Sequence, residues 1–180
     1  VSDEFLLRVF DVMKKCDRHV FQVLTKRPKR MAQLSASIGW PSNVWAGTTV
    51  ENRKVYDRLS SLLLVEASVR FISFEPLLED VSDVDLQGIH WAAVGGESGP
   101  NARPMNIQWV RALRDRCVTD GIAFYFKQWG GEHQTSGGRE LDGRIWDQMP
   151  EPSGQLNLFG ESPDGALDIT PEESGRSVVS

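Results

Sequence analysis

Cysteine is scarce in this sequence, which contains only Cys16 and Cys117, far apart in the chain. Two isolated thiols do not form a disulfide framework, and they favour a cytoplasmic protein. Long apolar runs are also missing, so no segment approaches the length of a membrane span and no membrane partner is expected. The three histidines are too scattered to indicate a zinc site.

Several well-known catalytic motifs are missing as well. The chain has no Ser-His-Asp order, no P-loop and no HExxH segment. The glycine-rich stretch Gly95-Gly96-Glu97-Ser98-Gly99 does not match the GxGxxG fingerprint of dinucleotide-binding proteins. The sequence therefore gives no motif-based case for a serine hydrolase, a P-loop nucleotide-binding protein or a dinucleotide-dependent enzyme.

Charge is unevenly distributed along the chain. Residues 1–60 contain eleven Lys and Arg against six Asp and Glu, whereas residues 151–180 contain six acids against one Arg. The first part could face a polyanion such as DNA, and the last part would be repelled by one. The alternative is that the basic residues form ordinary solvated helix faces.

Apolar runs and amphipathic segments alternate through most of the chain. Continuous apolar runs predict buried strands, and the segments between them have helical spacing. The predicted strands cover residues 19–25, 44–49, 69–74, 89–94 and 122–127. Such alternation implies parallel βαβ units. We therefore predict an α/β fold: a partial (β/α) barrel of about five parallel strands with flanking helices.

The composition changes after the last predicted strand. Residues 143–150 are interpreted as a final segment docked on the domain, which would span residues 1–150. Residues 151–180 are rich in Pro, Gly, Ser and acids, and we predict a disordered acidic C-terminal tail.

Polar residues follow each predicted strand. Because the carboxyl ends of parallel strands meet at one edge, these residues are expected to share one mouth, where α/β sheets carry their chemistry. Mixed charges there suit a zwitterionic or phosphorylated ligand. The candidate cofactor- or substrate-binding residues are Lys26, Arg27, Thr49, Glu51, Asn52, Glu75, Gly95, Gly96, Glu97, Ser98, Arg103, Lys127 and Gln128.

Two other interpretations of the same residues remain open. Glu51, Glu75 and Glu97 could hold a hard cation such as magnesium, which would make the protein a divalent-metal-dependent barrel enzyme. Alternatively, Glu51 caps the following helix and Glu75 simply ends a strand.

Seven segments together resemble a family of phage-encoded and bacterial proteins of unknown function that is related to the radical S-adenosylmethionine superfamily. They cover residues 1–150 in order. The segments are Leu24-Thr25-Lys26-Arg27-Pro28, Val50-Glu51-Asn52, Phe74-Glu75-Pro76-Leu77-Leu78, Val94-Gly95-Gly96-Glu97-Ser98-Gly99-Pro100, Ala102-Arg103-Pro104-Met105, Phe126-Lys127-Gln128-Trp129-Gly130 and Asp142-Gly143-Arg144-Ile145-Trp146-Asp147-Gln148-Met149-Pro150.

The resemblance implies a partial (β/α) barrel with a [4Fe–4S] cluster and S-adenosylmethionine in full-length family members. Three nearby cysteines are needed for such a cluster, and this chain lacks them, so we expect it to be the later portion of the family and inactive as a redox enzyme on its own. A Gly-Gly-Glu motif contacts the methionine amino group in many radical enzymes. Here Gly95-Gly96-Glu97 follows a late strand, so that role is only a candidate one.

A short motif in the tail resembles the peptide by which bacterial proteins bind the replication sliding clamp. Leu158 and Phe159 would enter an apolar cleft while Gln155 fixes the register by hydrogen bonds, and Leu156 belongs to the same motif. The alternative is an apolar patch that folds back on the domain. Two hypotheses follow: a radical S-adenosylmethionine-type protein acting on or near nucleic acid or a nucleotide, or a non-catalytic binding protein recruited to the clamp.

Overall fold

The computed structural model describes residues 1–133 and 137–150, so the predicted tail lies outside the described residues. The main strands are β1 (Phe21–Thr25), β2 (Val44–Thr49), β3 (Arg70–Phe74), β4 (Trp91–Gly95) and β5 (Ala123–Gln128). The helices are α1 (Asp3–Lys15), α2 (Pro28–Ile38), a 3₁₀ turn (Arg53–Val55), α3 (Asp57–Leu63) and α4 (Ile107–Asp120). A hairpin follows, formed by β6 (Glu140–Leu141) and β7 (Arg144–Ile145).

The five main strands lie side by side in chain order, and each pairs in parallel with the next. This confirms the predicted α/β class with a five-stranded parallel sheet flanked by helices. All five strands point the same way, so their C-terminal ends form one edge of the sheet, which we call the carboxyl edge. The polar strand exits predicted from the sequence all belong to this edge.

Local signals in the sequence set the ends of the helices. The Ser2 hydroxyl accepts a hydrogen bond from the Phe5 N–H at 3.3 Å and caps α1. Pro28 occupies the first turn of α2, where its missing N–H costs nothing. Gly121 ends α4 with a φ of 68°, a conformation that favours glycine. In the described ranges no helix is long and apolar enough to cross a membrane.

The two faces of the main sheet differ. Alternate strand residues such as Ile72 and Phe124 pack against α2, α3 and α4 in the larger core cluster. The other face, which we call the open face, carries a second cluster that consists only of residues from the strands and Val69. Its buried members are Trp45, Val69, Phe71 and Trp91. The open face is therefore largely aromatic, and the closure of the sheet into a partial barrel stays a prediction.

The two outer edges of the sheet differ in their backbone pairing. A segment around Trp146–Gln148 runs antiparallel along β5: the Phe126 N–H donates to Trp146 O at 2.8 Å, and the Gln148 N–H donates to Phe124 O at 3.2 Å. This confirms the docked segment predicted for residues 143–150. On the opposite side, β1 has a strand neighbour on one side only within the described residues.

The β6–β7 hairpin is tied to α4 through one carboxylate. Asp142 and Gly143 form its two-residue turn with φ values of 55° and 72°, as expected for an Asp-Gly turn. The Asp142 carboxylate accepts hydrogen bonds from Arg111 and, at 2.6 Å, from Arg114. These hydrogen bonds lower the pKa of Asp142 from its ordinary value to about 2.

We expect Asp142→Asn to lower the free energy of unfolding relative to wild type at pH 7. In acid the two proteins should become equally stable. Asn keeps the size of the side chain and tolerates the positive φ. The folded pKa lies below the unfolded value, so the stabilisation is full above about pH 4 and is lost as the pH falls through about 2. Urea titrations between pH 7 and pH 2 check this. The control is Asp17→Asn, at an exposed site that forms no ion pair in the described part of the chain. A difference in the free energy of unfolding between wild type and Asp142→Asn that stays constant with pH would contradict the assignment.

Candidate functional site

Glu51 is the centre of the first group of charges at the carboxyl edge. It is buried, and it forms ion pairs with Lys26 and, at 2.9 Å, with Arg58. The Thr49 hydroxyl donates to the Glu51 carboxylate at 3.1 Å. A buried carboxylate is stable only when it is paired and hydrogen-bonded, so Glu51 fixes the side chains that follow β1 and β2.

Arg58 was not among the residues predicted from the sequence. Its guanidinium contacts Glu51 and also donates to the Thr49 carbonyl at 2.9 Å. It also contributes to lowering the pKa of Lys26, after the larger effect of partial burial. The only signal in the sequence is a cation seven residues after a strand-exit carboxylate. Many surface helices have a cation in a similar position, so this spacing does not single out Arg58.

Glu75 is the centre of the second group. Its carboxylate accepts hydrogen bonds from the Lys127 ammonium at 3.0 Å and from the Gln128 amide at 3.1 Å. The Gln128 amide also lies 3.2 Å from the Ser98 hydroxyl. Three strand exits, those of β3, β4 and β5, are therefore joined through Glu75 and Gln128. The sequence predicted all four residues as candidates, and the fold brings them together.

Glu97 has a separate partner. Both of its oxygens accept from the Arg103 guanidinium, at 2.7 and 2.8 Å, and one also accepts from the Arg103 N–H at 2.9 Å. These hydrogen bonds lower the pKa of Glu97 to about 2. The carboxylate thus closes the loop after β4, and its predicted role as a ligand contact stays a prediction.

Gly96 permits a close approach of two backbones. A Cβ atom at this position would lie 1.9 Å from the Trp129 carbonyl oxygen. The Gly96 N–H donates to Gln128 O at 3.0 Å, so the exits of β4 and β5 continue to pair beyond the strands. At Gly95, a Cβ would meet the Glu75 side chain at 3.1 Å. At both positions the space that a side chain would need is filled by other atoms of the protein. Glycine is therefore required here by packing, which the sequence alone does not reveal.

The remaining candidates have more local surroundings. The Asn52 side chain accepts from the Lys54 N–H at 3.0 Å and caps the 3₁₀ turn. Arg27 is exposed at the start of α2. Within the described part of the protein, neither side chain forms a hydrogen bond with the residues of the Glu75 group.

A pocket of about 410 Å³ lies on the open face, and Glu75 and Lys127 form part of its lining. We call it the open-face pocket. Its apolar wall includes Leu24, Phe71, Trp91 and Tyr125, and its polar end is formed by Ser73, Glu75 and Lys127. This volume and this mixture of an apolar wall with a few polar groups are typical of small-molecule sites.

The aromatic wall of this pocket is tightly packed. Trp91 lies with its ring centroid 5.9 Å from that of Trp45 and 5.9 Å from that of Tyr125. The indole N–H of Trp45, which is not part of the pocket lining, is buried and has no hydrogen-bond partner among the described residues. The Arg139 guanidinium lies 5.2 Å from the Tyr125 ring centroid, so this wall already attracts one cation.

The cysteines do not fit an iron–sulfur cluster. Cys16 ends α1 and is partly exposed, and Cys117 is buried in α4. Burial raises the pKa of Cys117 to about 12, which disfavours the thiolate that a cluster needs. A cluster of the expected type requires three close thiolates, and the chain has two cysteines in all.

The predicted metal site with three glutamates stays a prediction. In residues 1–133 and 137–150, no group of three or more His, Cys, Asp or Glu side chains could hold a metal ion. Each of the three carboxylates instead contacts a cation of the chain: Glu51 contacts Lys26, Glu75 contacts Lys127 and Glu97 contacts Arg103.

Comparison with known proteins gives a family match over most of the chain. A family model described as "Protein of unknown function (DUF5131)" matches residues 1–150. This range covers the sheet, its helices and the segment paired with β5. No curated protein and no solved structure matches the chain.

Proposed function

The chain belongs to the DUF5131 family of proteins of unknown function, and we propose that it is a radical S-adenosylmethionine-type barrel protein that acts on or near nucleic acid. In this proposal S-adenosylmethionine binds in the open-face pocket. The observation that carries the proposal is the Glu75–Lys127 ion pair at the end of an aromatic pocket.

The charges at the end of the pocket match the amino-acid part of S-adenosylmethionine. Glu75 can accept hydrogen bonds from an ammonium group, and Lys127 can pair with a carboxylate. Side-chain exposure is 25% for Glu75 and 52% for Lys127, and partly exposed ion pairs contribute at most about 1 kcal/mol. A zwitterion can therefore replace their mutual contact at little cost.

The wall of the pocket matches the rest of this ligand. Trp91 and Phe71, with ring centroids 5.4 Å apart, offer apolar and aromatic surface for an adenine ring. Aromatic faces also attract cations such as a sulfonium.

The proposal assigns binding of S-adenosylmethionine to this chain and no redox step, because Cys16 and Cys117 do not fit the cluster. Nucleic acid as the substrate rests on the excess of basic residues within residues 1–60. Recruitment to the sliding clamp through Gln155, Leu156, Leu158 and Phe159 stays a prediction, since these residues lie outside the described part of the chain.

Isothermal titration calorimetry with S-adenosylmethionine tests the proposal. We expect the purified chain to bind with a dissociation constant below about 0.1 mM, which corresponds to roughly −5.5 kcal/mol. S-adenosylhomocysteine, which has no sulfonium charge, should bind more weakly if the aromatic wall faces that charge. The absence of heat and of ligand-induced thermal stabilisation at millimolar S-adenosylmethionine would overturn the proposal.

A further inference from the structure

A second concave surface adjoins the carboxyl edge, between the start of α2 and the segment formed by the 3₁₀ turn and α3. It encloses about 600 Å³. We call it the basic groove, after the six cationic side chains that line it. They are Lys26, Arg27, Lys29, Arg30, Lys54 and Arg58. Among the described residues, Asp57 is the one carboxylate in its lining.

Half of these cations form no ion pair among the described residues. Arg27, Lys29 and Lys54 are exposed, and they form no ion pair with any residue of the described ranges. Gathering like charges in one concavity raises the local positive potential and attracts anions. The arrangement is complementary to a ligand with several negative charges.

The other three cations are held in place by carboxylates outside the lining. Lys26 and Arg58 both pair with Glu51, and Arg30 pairs with Asp3 at 2.8 Å. Their side chains are therefore ordered before any ligand arrives, which reduces the entropic cost of binding. Since Glu51 also belongs to the carboxyl edge, the groove and the edge share one network of side chains.

The start of α2 adds to the same field. The first turn of α2 has no acidic residue, and Arg27 at its N-cap makes no side-chain capping bond. The partial positive charge of the helix N-terminus therefore stays uncompensated on the side of the groove.

We propose that the basic groove binds the phosphate backbone of nucleic acid. The groove would hold the substrate proposed above, so this assignment rests on the proposed function. Several spaced cations suit a chain of phosphates better than one small anion. Among the described residues, the lining includes no aromatic side chain. The groove therefore offers no aromatic surface for base stacking, and binding should depend little on sequence.

Fluorescence anisotropy with labelled probes of about 20 nucleotides tests this assignment. The three probes are single-stranded DNA, duplex DNA and RNA. The double variant Lys29→Glu/Lys54→Glu should lose at least about tenfold in affinity at 0.1 M salt, and the slope of log affinity against log salt should become shallower by about 1.4–1.8. The matched control is Lys14→Glu/Arg18→Glu, which changes the charge equally at exposed positions before β1. It should change affinity less than about threefold.

The possible outcomes distinguish nucleic-acid binding in the basic groove from S-adenosylmethionine binding in the open-face pocket. Loss of probe binding in the groove variant, with unchanged calorimetric binding of S-adenosylmethionine, supports it. It is overturned if wild type binds none of the three probes, if both double variants weaken binding equally, or if inorganic phosphate displaces the probes as well as unlabelled oligonucleotide does at equal phosphate concentration. Because S-adenosylmethionine binding is measured on the same samples, failure of the groove and failure of the open-face pocket give different results.

Discussion

Glu75→Gln is expected to lower the affinity for S-adenosylmethionine by about 10- to 100-fold, since a hydrogen bond to a charged group contributes about 1.5–3 kcal/mol. The change keeps the size of the side chain and removes the negative charge that would face the ligand ammonium. Lys127 loses its partner, but half of its side chain is exposed to solvent, so the fold should tolerate the loss. Calorimetry measures the affinities.

The same variant can be tested with a ligand that lacks the amino-acid part. 5′-Methylthioadenosine has the adenosine and the sulfur but neither the ammonium nor the carboxylate. Its affinity should be nearly equal for wild type and Glu75→Gln, because the aromatic wall is unchanged. Equal losses for both ligands would show a general disturbance of the pocket and would contradict the assigned role of Glu75.

Glu66→Gln is the matched control. Glu66 is exposed in the loop before β3, so it belongs to the edge of the sheet opposite the carboxyl edge. The same change of charge at this site should leave the affinity for S-adenosylmethionine within about twofold of wild type. A drop comparable to that of Glu75→Gln would mean that net charge, not the local contact, controls binding.

Gly96→Ala is expected to lower the free energy of unfolding by about 3 kcal/mol or more, at the upper end of the range for overpacking. The added Cβ would lie 1.9 Å from the Trp129 carbonyl oxygen and 2.6 Å from its carbon. These are backbone atoms, so no side-chain rotation relieves the contact. A loss of this size corresponds to a fall in Tm of about 10 °C for a chain of this length.

Thermal unfolding followed by circular dichroism measures this effect, with Gly39→Ala as the control. Gly39 has nothing within 4 Å of an added Cβ but has a φ of 59°, so it reports only the conformational cost, about 1 kcal/mol. A Gly96→Ala variant as stable as Gly39→Ala would contradict the close pairing of the exits of β4 and β5.

The order of the elements could be predicted because the signals are local. The continuous apolar run of β4 identifies a strand, although the helices pack against only one face of the sheet. Gly121 marks the end of α4. The β6–β7 hairpin was not predicted, although Asp142-Gly143 is a strong turn signal. Each of its strands has only two residues, which is too short for an alternating pattern.

The composition of the carboxyl edge could be predicted, but its pairing could not. Parallel strands place their exits at one edge, so Glu75, Lys127 and Gln128 were foreseeable as neighbours. Which cation each carboxylate contacts depends on side-chain reach across the sheet, and this is why Arg58 was missed. The close approach at Gly96 likewise depends on a segment more than thirty residues away.

A crystal structure of the chain with S-adenosylmethionine would locate the ligand and its contacts. We expect the ligand in the open-face pocket, with its ammonium group in hydrogen-bonding distance of the Glu75 carboxylate, its carboxylate next to Lys127 and its adenine against the wall that contains Phe71 and Trp91. Ligand density at any other site, or an empty open-face pocket at a concentration that saturates the protein in solution, would contradict this expectation.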